Sequence, residues 1–286
     1  MSLLEEVVSG SIGCVTRLLS NPDVDVNHVA ENGLTALMLA TVYGRIDIVQ
    51  LLLAVEGIDV NRADRDGETA LMYGSYEVET DIVQLLLAHP GVNANQTNRF
   101  GNTALNSASL DGSVSIVQLL LAHQGIDANL PNEYGNTALM KASQMGRTAI
   151  VELLLAVEGI DVNKGPNGPN ALVLASQRGR TAIVELLLAV EGIDVNLKDA
   201  RGQTALMWAG FSGHIEIVQL LLAHPGIDVK KTAIGYNLGK TALALAMGGA
   251  GQRAGVAVKL LTDANDPYLV KKNREVRQWK KIPMPL

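Results

Sequence analysis

The apolar positions of this chain fall into two short patterns that alternate along it. In the first, a threonine precedes a run such as Ala36-Leu-Met-Leu-Ala40, with apolar side chains at helical spacing; in the second, an Ile-Val pair leads into three leucines, as in Ile48-Val-Gln-Leu-Leu-Leu53. Polar segments of the type Gly57-Ile-Asp-Val-Asn61 separate one unit from the next. Rows of about 34 residues align Gly33-Leu-Thr-Ala-Leu-Met, Gly67-Glu-Thr-Ala-Leu-Met, Gly101-Asn-Thr-Ala-Leu-Asn, Gly135-Asn-Thr-Ala-Leu-Met, Gly168-Pro-Asn-Ala-Leu-Val and Gly202-Gln-Thr-Ala-Leu-Met, with Gly239-Lys-Thr-Ala-Leu-Ala closing the series. A period of this size, sustained over nearly the whole chain, specifies stacked supersecondary units.

Each unit reads as a helix-turn-helix. Thr35 and its equivalents stand where a hydroxyl caps the first free amides of a helix over Ala36 to Tyr43, and Asn170 serves equally well in its row. Gly44, Gly112, Gly146, Gly179 and Gly213 follow, where a left-handed residue lets the chain reverse without a Cβ clash. Val78 holds that place in one unit and enters left-handed space only at a cost, so its turn is expected to differ. A second helix over Ile46 to Ala54 buries Ile48, Val49, Leu52 and Leu53. Helices this short are marginal alone, so stacking on neighbours must hold them.

These rows resemble ankyrin repeats, whose pattern is Gly-x-Thr-Pro-Leu-His-x-Ala, a helix-turn-helix and a Gly-Ala-Asp-Val-Asn hairpin. The resemblance runs from residue 1 to about 265. It implies an all-α fold, an α-solenoid of helix-turn-helix units joined by β-hairpin-like loops. Ala stands for Pro at the first helical position, and Met38, Met72, Met140 and Met207 stand for the family's His. The expected organisation is an N-terminal capping repeat over 1–31, six repeats over 32–237, a degenerate repeat over 238–265, and a basic helix or tail over 266–286 with Leu269, Val276 and Trp279 docking on the last repeat. The stretch Gly146 to Asn163 recurs unchanged at Gly179 to Asn196, which marks the middle units as spacers.

Composition narrows the chemistry. With 48% apolar but only 3% aromatic residues, the core must be built from Leu, Val, Ile and Ala in thin layers. Cys14 is the one cysteine, so there is no disulfide framework, and a reducing cytosol or nucleus is expected. Glu5 and Glu6 stand where an export leader needs positive charge, and no apolar run approaches the ~20 residues a bilayer requires. Of the net charge of −6, the stretch Lys271 to Lys281 carries +5, leaving −11 elsewhere, a balance that repels nucleic acid.

No nucleophilic triad is evident. His89, His123 and His224 recur one per unit, too far apart for one ion, so no metal is expected. Gly248, Gly249, Gly251 and Gly255 lack the strand that a dinucleotide loop must follow, so no cofactor is expected. A monomeric, non-enzymatic scaffold is expected, binding a protein or peptide in a concave groove made by hairpin tips and the outward stripe of the first helix. Seven of the ten aromatic residues fall in those slots: Tyr43, Tyr73, Tyr76, Phe100, Tyr134, Trp208 and Phe211. Met145 and Arg178 join them as candidate partner-binding residues. The alternative is a regulatory or targeting module acting through the basic tail.

Overall fold

The structure, a computed structural model, describes residues 2–165, 170–233, 237, 239–248 and 252–265. The expected tail helix with Leu269, Val276 and Trp279, and the basic stretch 271–281, lie outside the described residues, as do Gly168, Gly249 and Gly251. Two compact units form, one of Met1–Ala142 with Ala149–Ile160 and one of Ser143–Thr148 with Asp161–Leu286.

The first unit holds four complete helix pairs: α1 (Leu3–Ser9) with α2 (Ile12–Leu19), α3 (Ala36–Val42) with α4 (Ile46–Leu53), α5 (Ala70–Tyr76) with α6 (Thr80–Ala88), and α7 (Ala104–Asp111) with α8 (Val114–Ala122). Most of α9 (Ala138–Met145) and of α10 (Thr148–Leu155) also belongs to it. First helices stack on first helices, α1 on α3 on α5 on α7, and second helices likewise, α2 on α4 on α6 on α8. The second unit repeats the scheme with α11 (Ala171–Gln177), α12 (Thr181–Leu188), α13 (Ala205–Ser212), α14 (Ile215–Ala223), α15 (Ala242–Met247) and α16 (Gln252–Asn265). Among the described residues no strand forms, and the only isolated β-bridge pairs Val29 with Thr35.

The helices begin where capping chemistry allows. Thr35 Oγ1 accepts from the Met38 amide at 3.2 Å, and Asn170 Oδ1 accepts from the Val173 amide at 2.9 Å. Methionine in the histidine position does more than fill space: Met38 Sδ accepts from the Thr35 amide and Met207 Sδ from the Thr204 amide, each at 3.4 Å, returning a weak cap to the preceding loop. At the N-terminus Ser2 and Glu5 exchange a full capping box, and Thr16 and Arg17 face solvent.

The core of each layer is an Ile-Val-Leu triad. Ile48, Val49 and Leu52 are sealed from solvent, as are Ile82, Val83 and Leu86, and in the second unit Ile183, Val184 and Leu187. Each such side chain contributes roughly 1.5–3 kcal/mol on burial, which short helices could not gain without a neighbour. Leu53, expected inside, is only half-buried. At 100° per residue three consecutive leucines cannot share one face, and the middle one takes the core.

The turn at Val78 corrects a second expectation. Val78 adopts φ +61°, as left-handed as Gly44 at +63°, and the Glu79 amide reaches Gly74 O at 3.0 Å just as the Arg45 amide reaches Ala40 O at 2.8 Å. What differs is the next unit. A Cβ on Gly44 would sit 3.0 Å from the Glu79 carboxylate, and one on Gly179 would sit 2.7 Å from the His214 ring, because those side chains fold over the glycine. The residue that follows Val78 by the same interval is Ser113, which is too short to do so, and Val78 remains 53% exposed.

Candidate functional site

Hairpin tips and the free side of the first helices carry the candidate residues, and an Asx residue builds each tip. Asp64 Oδ1 accepts from the Asp66 and Glu68 amides at 2.8 and 2.9 Å; Asp199 Oδ1 does the same for Arg201 and Gln203 at 2.9 and 2.8 Å. The second carboxylate oxygen is then free to hold a ring. Tyr73 Oη donates to Asp64 Oδ2 at 2.7 Å, and Trp208 Nε1 donates to Asp199 Oδ2 at 2.8 Å.

Where the tip residue is Asn, the side chain ties backward instead. Asn98 Nδ2 donates to Glu68 Oε1 at 2.6 Å and Asn132 Nδ2 to Asn102 Oδ1 at 2.8 Å. Those rows have Ser107 and Lys141 in place of a ring. Successive tips are also joined through the backbone, the Arg99 amide to Asp66 O at 2.8 Å and the Glu133 amide to Phe100 O at 3.0 Å.

At the other loop asparagines hold the backbone of the next unit. Asn61 Nδ2 donates to Gly91 O at 2.7 Å while its Oδ1 accepts from the Asn93 amide at 2.7 Å, and Asn27, Asn95, Asn163 and Asn196 repeat the pair of bonds. The histidines serve their own turns: His89 and His224 Nδ1 accept from the Gly91 and Gly226 amides at 3.2 Å. Among the described residues no group of His, Cys, Asp or Glu is gathered to hold a metal ion.

In the first unit Tyr73 and Tyr76 stand over acidic tips. Tyr76 Oη donates to Glu68 Oε1 at 3.3 Å, and Glu68 Oε2 is buried without a partner. Burial pushes the Glu68 carboxyl above its ordinary value, and the charges of Asp64 and Asp66 add to this against the bonds from Asn98 and Tyr76. Burial likewise raises both phenols, Tyr73 further through its bond to Asp64. Arg99 lies over the Phe100 ring at 4.6 Å and pairs with Asp66 at 2.6 Å. That ion pair is largely exposed and contributes little.

In the second unit Trp208 and Phe211 meet edge to face with centroids 6.4 Å apart, and Arg201 lies 5.8 Å over the indole. The structure does not leave Trp208 on an open surface: it is 9% exposed. Its slot, four residues after the cap, turns toward the tip of its own repeat, and Ser107 in the same slot is buried as well. Exposure rises along the first helices, so that Tyr43 (50%) in the first unit and Phe211 (45%) and Met145 (41%) in the second, near the ends of their helices, are open, and Arg178 is exposed in its own repeat. Tyr134 at a tip is the most open ring among the described residues, at 66%. Spacing alone missed Asp64 and Asp199; the signal available was that an acid stands nine residues before a ring in these two rows.

Ankyrin repeats match residues 3–98, 78–166 and 158–233 in three overlapping copies. No curated protein matches the chain. Such repeats are in general protein–protein interaction modules, and proteins built from them are typically non-enzymatic scaffolds. Among the described residues no helix is long and apolar enough to cross a membrane. With capped helix pairs, glycine turns and Asn-bridged loops repeating in the matched register, the chain belongs to the ankyrin repeat family.

Proposed function

We propose that this protein is a non-enzymatic scaffold that binds a protein partner through the hairpin tips and the open ends of its first helices. One observation carries the reading. Tyr43 and Tyr134 in the first unit, and Met145 and Phe211 in the second, are large apolar side chains left open to solvent at tips or first-helix ends, in a chain with ten aromatic residues in all. Aromatic side chains there offer much contact area at small entropic cost, which is what an interaction hot spot requires.

The tips are suited to this role because their backbone is already satisfied by Asx bonds and by the neighbouring tip. Binding then orders little new backbone. The scaffold is read as a monomer of the cytosol or nucleus with no affinity for nucleic acid, a reading supported by its single cysteine and its net acidic charge.

The test is partner capture with the full chain and with a Tyr43→Ala, Tyr134→Ala, Phe211→Ala triple variant. These side chains are open, so each change is expected to leave stability within about 0.5 kcal/mol. Capture lost while helicity is kept supports the reading. Capture unchanged by all three sinks it.

A further inference from the structure

A hollow of about 700 Å³ opens at the C-terminal end of the second unit, with Arg201, Trp208, Phe211, Lys240, Ala244 and Leu245 in its wall. Its size is within the range of pockets that hold a few side chains. Phe211 presents an open ring and Leu245 an aliphatic floor, while the one polar atom of the indole is consumed by Asp199, so the Trp208 surface offered there is apolar.

The charge of this hollow is opposite in sign to the net charge of the chain. Arg201 and Lys240 line it, and no carboxylate does among the described residues. Asp199, the nearest acid in sequence, has both oxygens occupied, one by the tip amides and one by Trp208. Arg201 lies on the indole face and, among the described residues, its side chain donates to no acceptor, while Lys240 makes only a 3.3 Å contact to Asn237 among them. The first unit is opposite in character: its tyrosines stand among Asp64, Asp66 and Glu68.

We infer that the hollow between α13 and α15 is a docking site for an acidic peptide segment of the partner, an aliphatic or aromatic side chain entering against Phe211 and Leu245 and a flanking carboxylate meeting Arg201 and Lys240. Arg201 suits this role because a guanidinium can stack on a ring and still accept a carboxylate in its plane. This rests on the protein-binding reading above and narrows it to one partner chemistry.

The probe is a fluorescein-labelled peptide, capped at both ends, with phenylalanine and leucine flanked by glutamates, titrated onto the full chain; a second peptide carries lysines in place of the glutamates. The acidic peptide is expected to bind at least about tenfold more tightly than the basic one, with the preference weakening as salt is added. An Arg201→Glu, Lys240→Glu variant is expected to reverse the preference, and Phe211→Ala to weaken binding of the acidic peptide about tenfold. Equal binding of both peptides, or a preference that survives the charge reversal, overturns the proposal. So does saturable binding of a single-stranded oligonucleotide at Arg201 and Lys240 with no binding of the acidic peptide. If a captured partner depends on Tyr43, Tyr134 and Phe211 but not on the two cations, the scaffold reading stands and this site assignment alone falls.

Discussion

The indole nitrogen of Trp208 donates to Asp199 Oδ2 at 2.8 Å, while Oδ1 of the same carboxylate holds two amides of the hairpin tip. One acid thereby fixes both a loop and a ring, and Asp64 does the same for Tyr73 in the first unit.

Removing the ring's donor and altering the acceptor should have unequal effects. Trp208→Phe leaves Oδ2 unpaired in a half-buried place and is expected to cost about 1–2 kcal/mol. Asp199→Asn should cost more, because Oδ1 is committed to the loop and the amide then points its own N–H at the indole N–H. In a Trp208→Phe background that extra cost should shrink. Urea unfolding of the three variants measures it, and a neutral Asp199→Asn would show that the bond does not hold the ring.

Val78 offers a gain. A non-glycine residue at φ +61° is strained by about 1–2 kcal/mol, so Val78→Gly is expected to stabilise the protein, less the added chain entropy of glycine when unfolded. Gly44→Val should do the reverse and more, since its Cβ would also press on Glu79 at 3.0 Å. Thermal melts of the pair decide this, and a destabilised Val78→Gly would contradict it.

How much of this was legible beforehand follows from what periodicity carries. Helix positions, the Thr35-type caps and the glycine turns depend on residues within one unit, and they were readable. The left-handed Val78 was not, because the neighbour that spares it, Ser113, lies in the next unit. The covering of Trp208 was missed for a related reason: spacing gives the face of a helix but not which loop folds over it. The asparagine bridges were not readable either, because Asn61 reaches Gly91 and Asn93 in the following repeat and spacing within one unit does not show which loop lies beside it. Leu53 was misplaced by counting apolar residues without counting the angle between them.

Glu68 should make stability depend on pH in an identifiable direction. Its carboxyl is raised above 4.5 in the folded state, so the folded protein binds the proton more readily than the unfolded chain. The contribution is therefore most favourable below the ordinary carboxylate value and declines as pH rises through the folded one. Glu68→Gln keeps an acceptor for Tyr76 and Asn98 but removes the titration. Relative to the parent, it should gain stability as pH rises through that window and show no advantage below it. A difference that is flat with pH would contradict the burial argument.

The asparagine bridges should act between repeats. Asn61→Ala leaves Gly91 O and the Asn93 amide to solvent and is expected to cost about 1 kcal/mol, modest because the site is exposed. Hydrogen exchange would show faster exchange at Asn93 than at amides within Asn61's own loop. Protection lost only inside that loop would argue against a bridge.

A photo-crosslinking residue placed singly at position 43, 134 or 211, and for contrast at exposed second-helix positions 50 and 219, tests the central claim most directly. Covalent capture of one and the same protein from the first three positions and not from the last two is the predicted result. Capture from 50 and 219 with none from 43, 134 and 211 would place the partner on the other side of the helices and contradict the account.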